Sequence, residues 1–369
     1  MFQKIARFVS TIGAMAMIVM LFALSSVSAS AASPTPGAVY VLTNAANDNA
    51  VAAFHRAANG TLNSVGTFST GGLGSGSGLG SQGALVLSAD GRRLFAVNAG
   101  SNDISIFDVQ SNGLKLRGKT SSHGSTPISL SVHDNLLYVL NSGGTANITG
   151  FKINEANLKP IPGSTRPLSA AAPGPAEVAF SADGKFLVVT EKSTNKIDVY
   201  KVNDDGVASA PIISTSNGAT PFGFAFNNRG YLIVSEAGPG AVSSYTIEKS
   251  GKLSVISPSV VAVGQLAACW IAVSKDGRYA YAADAHSGTI TGYRVSNNGK
   301  LSLLDANAIT ANPGGAPLDM GVSQDGRNLY VFNTGLQTIN AYTLKTNGEL
   351  SSLGNTGALP TSASGIAVW

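Results

Sequence analysis

One short unit recurs along the chain. "GALVLSADGRRLFAVN" (83–98), "AEVAFSADGKFLVVTE" (176–191), "CWIAVSKDGRYAYAAD" (269–284) and "LDMGVSQDGRNLYVFN" (318–333) are close copies. "ISLSVHDNLLYVLN" (128–141) and "FGFAFNNRGYLIVSE" (222–236) are weaker ones. The turn positions Asp90, Asp134, Asp183, Arg229, Asp276 and Asp325 stand 44 to 49 residues apart. Each copy runs on into an alternating segment, such as "IDVYKV" or "INAYTL", and then into a fourth strand. Alternation of period two marks strands buried on at least one face. Asp-Gly and Asn-Gly pairs predict two-residue hairpins, whose central residues both take positive φ. Four short strands cannot cover both faces of their own sheet, so successive units must stack. The expected fold class is therefore all-β, a seven-bladed β-propeller with four-stranded blades a to d.

The two ends of the chain fit a ring. "GAVYVLTN" (37–44) reads as a b strand with no a strand before it, and "ASGIAVW" (363–369) reads as an a strand with no b strand after it. Pairing them completes the first blade and removes a frayed edge. The expected organisation is a signal peptide over 1–29, a linker over 30–36 and one propeller domain over 37–369. Lys4 and Arg7 precede an uncharged apolar run from Phe8 to Leu24, and small residues follow it. That is the pattern of a cleaved secretory leader, with an uncleaved anchor as the alternative. After cleavage no membrane span is expected, and the protein is expected to be secreted, to an extracellular or periplasmic space.

Composition narrows the function classes. Charged residues are 12% of the chain and hydrophobic ones 44%, which excludes a disordered chain. The formal charge of +4 falls to +2 without Lys4 and Arg7, so no nucleic-acid partner is expected. The single cysteine, Cys269, excludes an internal disulfide and sits in an apolar strand. The expected partner is a small-molecule ligand, a lactone or a sugar, bound by a monomer.

In a propeller the b-to-c and d-to-a loops share one face. The b strands end at Asn44, Asn98, Asn141, Glu191, Glu236, Asp284 and Asn333. One position inside the a strands holds Ala84, Ser129, Glu177, Gly223, Trp270, Asp319 and Gly365. Glu177, Glu191, Glu236, Asp284 and Asp319 are thus expected to gather round one half of the channel mouth. Like charges brought together shift each other's pKa. His123, before the third a strand, and His286, after the sixth b strand, can reach the same face. There is no nucleophile elbow and no paired-cysteine or H-E-x-x-H metal spacing.

The "DGRxLYVxN" units resemble those of the lactonase-type seven-bladed propellers, which include 6-phosphogluconolactonase and 3-carboxymuconate-cyclizing enzymes, and the surface-protein repeats named for a Tyr-Val-Thr-Asn core. The similarity spans about residues 37–369. It implies a pocket with a His in blade three, an Arg and a Glu in blade four, and a second Arg in blade six. Here Ile128, Ala176 and Ala285 stand at the His and the two Arg positions, and Glu191 keeps the Glu. Two missing guanidinium groups remove a clamp for carboxylate or phosphate. Two functions from different classes follow. One is a lactone-opening or lactone-closing enzyme, with Glu191, Glu177 and His286 as catalytic residues and Glu236, Asp284, Asp319, Trp270 and His123 as substrate-binding residues. No cofactor is firmly implied; calcium or magnesium at the acids would polarise the lactone carbonyl. The other is a secreted binding module whose catalytic site has been lost.

One stretch breaks the repeat. "GGLGSGSGLGSQG" (71–83) contains the spacing G-x-G-x-x-G at Gly78, Gly80 and Gly83. A dinucleotide turn needs a helix after it, and here a strand follows. The run is expected to be a flexible connection, or a flap over the channel mouth.

Overall fold

The structure is a computed structural model that describes residues 37–154 and 157–369. The expected leader over 1–29 and the expected linker over 30–36 lie outside those residues. Seven antiparallel sheets follow one another, and the described residues contain no helix. Six sheets have four strands; the third adds Arg166–Pro167, paired with its c strand. Closure is as the ends imply. The first blade runs Ser364–Val368, Ala38–Leu42, Ala50–Arg56, Leu62–Ser69. Val39 faces Val368, Tyr40 faces Ala367, and Trp369 N–H donates to Ala38 O at 2.8 Å.

Each sheet is covered by a blade on either side, so its middle strands are apolar on both faces. In Tyr279–Asp284 and Asn328–Asn333 every residue is buried. The outer strand Leu350–Thr356 is partly exposed along its length. The recurrent Tyr of the b strand rivets neighbouring blades. Tyr138, Tyr281 and Tyr330 hydroxyls donate at 2.8 Å to Gly206 O, Gly348 O and Gly60 O, carbonyls of the next blade's c-to-d turn. A buried phenol needs such a partner, and each bond contributes roughly 1 kcal/mol net.

The Asp-Gly turns differ from the expected two-residue hairpins. In Ser88-Ala-Asp-Gly91, Gly91 N–H donates to Ser88 O at 2.9 Å, and Ser88 N–H donates to Arg93 O at 2.9 Å. The loop thus has four residues, and of the Asp-Gly pair only Gly91 has positive φ, 67°. Asp90 supplies the missing acceptors: its Oδ1 receives the Ser88 hydroxyl at 2.6 Å and Arg92 N–H at 3.1 Å. The same Ser–Asp contact recurs at Asp183, Asp276 and Asp325. The aspartate is chosen for its side chain, not for tolerance of a left-handed backbone.

Candidate functional site

The innermost strands position the site through one repeated irregularity. In blade three Pro127 faces Asn141 and Ser129 faces Leu140, which leaves Ile128 as an extra residue. Blade four does the same at Ala176, blade six at Cys269 and the closing strand at Gly365. These β-bulges re-aim the strand beside the channel. They also leave inner-edge N–H groups that must find acceptors away from any sheet. In blades three, four and seven a side chain at the bulge provides one for the next blade. Ser129 Oγ accepts Val178 N–H at 3.1 Å, Glu177 Oε2 accepts Phe224 N–H at 2.6 Å, and Asp319 Oδ2 accepts Ile366 N–H at 3.3 Å.

Blade five has Gly223 at this position and no side chain to offer. Gln82 takes its place: its Oε1 accepts Ile271 N–H at 3.1 Å and its Nε2 donates to Ile271 O at 2.8 Å. A Cβ on Gly223 would stand 2.1 Å from Gln82 Oε1, so the glycine makes room for that amide. Gln82 belongs to the glycine run, which therefore does not lie over the mouth as a loose connection. It enters the channel. Gln82 N–H donates to Ala176 O, Leu130 N–H donates to Gly83 O, and Ser81 Oγ donates to Ile128 O. Trp270 Nε1 donates to Ser81 O at 3.0 Å, and Leu79 N–H donates to Ser364 Oγ at 3.1 Å. One segment is thus bonded to blades one, three, four and six, and it plugs the ring.

A cavity of about 260 Å3 remains between this plug and blades six, seven and one. Leu79, Trp270, Leu318, Phe332, Asp319 and Ser364 line it with loop glycines. Asp319 is its ionisable group. Burial pushes its carboxyl up to about 7, against the pull of the Gly83, Ile366 and Met320 N–H groups. Glu177, the neighbouring buried acid, is held well above the ordinary carboxylate range by burial, and Asp319 adds to that shift. Lys192 stands at the plug's other edge, with Nζ 2.6 Å from Gly80 O and 4.6 Å from the Phe222 ring centroid. A larger hollow of about 420 Å3 lies at the opposite end of the channel, lined by 85–89, 366–369 and Gln324, with no ionisable side chain.

The five acids do not form one cluster. Glu177 and Asp319 are electrostatic neighbours, and Trp270 joins Asp319 in the cavity wall. Glu191, Glu236 and Asp284 turn into their own blades, because a side chain at the end of a b strand meets the c strand and the incoming d-to-a loop. Glu236 accepts Gly218 N–H at 2.7 Å, Ser243 Oγ–H at 2.6 Å and the Ser259 hydroxyl. Asp284 accepts Thr291 Oγ1–H at 2.7 Å, and burial raises its carboxyl to about 7. Glu191 accepts Ser169 N–H at 2.8 Å and the Ser169 and Thr194 hydroxyls. It lies against Asp198, whose carboxyl is pushed up to about 8 by burial and then by Glu191. His286 and His123 are exposed; neither bonds to any of these acids, and His123 packs 5.9 Å from the Phe151 ring. Cys269 is buried, as its apolar strand implies. Among the described residues no group of three or more His, Cys, Asp or Glu side chains converges as a metal cluster.

Gln82, Lys192, Leu318 and Phe332 escaped sequence reasoning. One signal could have found Gln82: it is the first long polar side chain after a run of Gly, Ser and Leu, and blade five has a glycine where its neighbours carry side chains.

The family model described as "Lactonase, 7-bladed beta-propeller" matches residues 31–163, 156–270 and 257–364. No curated protein sequence matches the chain. A periplasmic gluconolactonase from Pseudomonas aeruginosa superposes with a TM-score of 0.69 at 17% identity, covering 90% of this chain and 99% of that one. A 6-phosphogluconolactonase candidate from Bacteroides fragilis gives 0.72 at 19% identity, covering 92% and 99%. The virginiamycin B lyase of Staphylococcus aureus gives 0.53 at 14% identity, covering 73% and 83%. At these identities the likeness is one of fold.

Proposed function

The chain belongs to the seven-bladed β-propeller lactonase family, and on that premise we propose that it is a secreted protein that binds a small lactone in the Trp270–Asp319 cavity and hydrolyses its ring. The observation that carries this reading is Asp319: a buried carboxyl, poised near pH 7, in the wall of a cavity with an aromatic floor. A general base works best with a pKa near the working pH. Ionised Asp319 takes a proton from water as that water attacks the lactone carbonyl. The ring C–O bond then breaks, and the proton passes from Asp319 to the departing oxygen, leaving a hydroxy acid. Trp270, Leu318 and Phe332 offer apolar surface to the ring, and the plug shields one side of the cavity from water. Glu177 supports this site from the next inner strand rather than by touching the ligand. Glu191, Glu236, Asp284, His123 and His286 have no part in it. Export by residues 1–29 fits the periplasmic location in the name of the Pseudomonas relative.

One observation favours a second reading. The bulge residues Ile128 and Ala176 are apolar, and Glu191 is bound into its own blade. A propeller with that lining could hold the same ligand without converting it. A panel of sugar and muconate lactones, assayed with the purified protein and with Asp319→Asn, separates the two. The hydrolase predicts turnover that falls at least a hundredfold in the variant with ligand binding retained. Binding without turnover in both proteins selects the second reading.

A further inference from the structure

The blades provide their own controls for one polar clip. In blades two, five, six and seven the residue that ends the b strand meets the c-strand residue two places beyond its cross-strand partner. Asn98 Nδ2 donates to Ser105 Oγ at 2.7 Å, and Ser243 Oγ donates to Glu236 Oε1 at 2.6 Å. Thr291 Oγ1 donates to Asp284 Oδ2 at 2.7 Å, and Asn333 Nδ2 donates to Asn340 Oδ1 at 3.2 Å. In each of these pairs one member is a hydroxyl or amide donor. At the same place blade four sets Glu191 against Asp198, two carboxyls. Both residues are fully buried, and neither forms a salt bridge among the described residues. Glu191 already has its donors. Asp198 Oδ2 is 3.3 Å from the Tyr200 hydroxyl, but Asp198 Oδ1 is buried with no hydrogen-bond partner. An unpaired oxygen at 0% exposure is costly. Asp284 Oδ1 is also unpaired, but there a threonine hydroxyl faces the acid, whereas in blade four the group facing it is a second carboxyl.

We propose that blade four holds a hard divalent cation, of the calcium or magnesium type, between Glu191 and Asp198. Apart from the Ser169 N–H that Glu191 accepts, the polar groups around the pair offer oxygen: the Ser169, Thr194 and Tyr200 hydroxyls and Pro167 O, which lies 3.2 Å from the Tyr200 hydroxyl. An all-oxygen set with two carboxylates suits such ions and not soft metals. The ion ties the b-strand end, the c strand and the segment Pro167–Ser169 that leads into the inner strand Pro175–Phe180. It is a brace inside the blade, separate from the Trp270–Asp319 cavity, and it takes no part in the lactone chemistry.

Terbium is the probe, because Tyr200 sits against Asp198 and can sensitise a bound ion. The full protein, stripped with EDTA and titrated with terbium under tyrosine excitation, should show saturable emission at one equivalent that calcium displaces. Calcium should raise the melting temperature by several degrees, and EDTA should reverse that. Asp198→Ser copies the Glu–Ser pair of blade five; it should fold, lose at least tenfold of the emission and no longer respond to calcium. Asp198→Asn serves the same purpose if the serine variant misfolds. Absent or non-saturable emission, emission retained in the variants, or melting indifferent to calcium and EDTA would each overturn the site and leave a shared proton as the link.

Discussion

Two rings of polar side chains circle this molecule, and they do opposite jobs. The ring at the b-strand ends works within blades, except where Asn49 of blade one donates to Asn98 and where Asn44 holds Ser75 and Ser77 of the glycine run. Asn98, Glu236 and Asp284 each tie their own c strand or incoming loop. The ring at the a-strand bulges works between blades. Ser129, Glu177 and Asp319 each accept an N–H from the next inner strand, and Gln82 fills the gap at Gly223. Acids occur in both rings, so residue type does not tell the roles apart. What differs is the surroundings. The outer ring is closed by strands on every side, whereas the inner ring borders the channel, where a ligand can reach it. An acid is exposed to chemistry here only if its blade aims it at the channel.

The sharpest way to break this contrast is to remove one member from each ring. Glu236→Ala leaves one buried donor, from Ser243, and two part-buried ones, from Gly218 and Ser259, without their acceptor. A buried orphan costs about 1–3 kcal/mol and the part-buried ones less, so the loss should be about 3 kcal/mol. Urea unfolding would measure it, and lactone binding by the remaining folded protein should not change. Gln82→Ala frees the N–H and C=O of Ile271. Its stability loss should be smaller, about 2 kcal/mol, because the channel admits water to the freed groups. Its effect on ligand affinity should be the larger of the two, since the Gln82 amide anchors the segment whose Ser81 carbonyl holds Trp270. Equal effects of both variants on binding would show that the rings are not distinct.

The fold was legible because the same physical demand recurs in every blade. Asp caps the a-to-b turn, Tyr reaches the next blade's turn, and a polar residue closes the b strand; repetition makes each visible against an otherwise Gly- and Ser-rich chain. Even the wrong turn type did not disturb this, since both types join adjacent antiparallel strands. The site was less legible because it depends on departures from the repeat. A bulge adds one residue without changing composition, so the direction of Glu177 and of Glu191 could not be told apart from their positions along strands. The plug is a single insertion with no counterpart in other blades. Its glycines resemble a phosphate turn or a linker, and only Gly223, four blades away, records that a side chain must fit there.

Acidity gives the finest test of the contrast. In the folded chain the Asp319 carboxyl titrates at about 7 because it is buried, against an ordinary value of 3.8. Between those values the folded protein holds a proton that the unfolded chain has released. Its stabilising effect is therefore full near pH 4 and is lost as pH rises through about 7. From about pH 6 to about pH 7.5 this single group should account for a fall of about 1 kcal/mol, and Asp319→Asn should remove that part of the slope. Glu177 and Asp284, both raised by burial, act in the same direction, so the variant should flatten the profile without levelling it. Turnover should run the other way, rising through the same window as Asp319 becomes a base. An inner-ring acid thus trades stability for reactivity over one pH range, whereas Asp284 should show the loss of stability alone. If Asp284→Asn changed the pH profile of turnover as Asp319→Asn does, the separation of the two rings would fail.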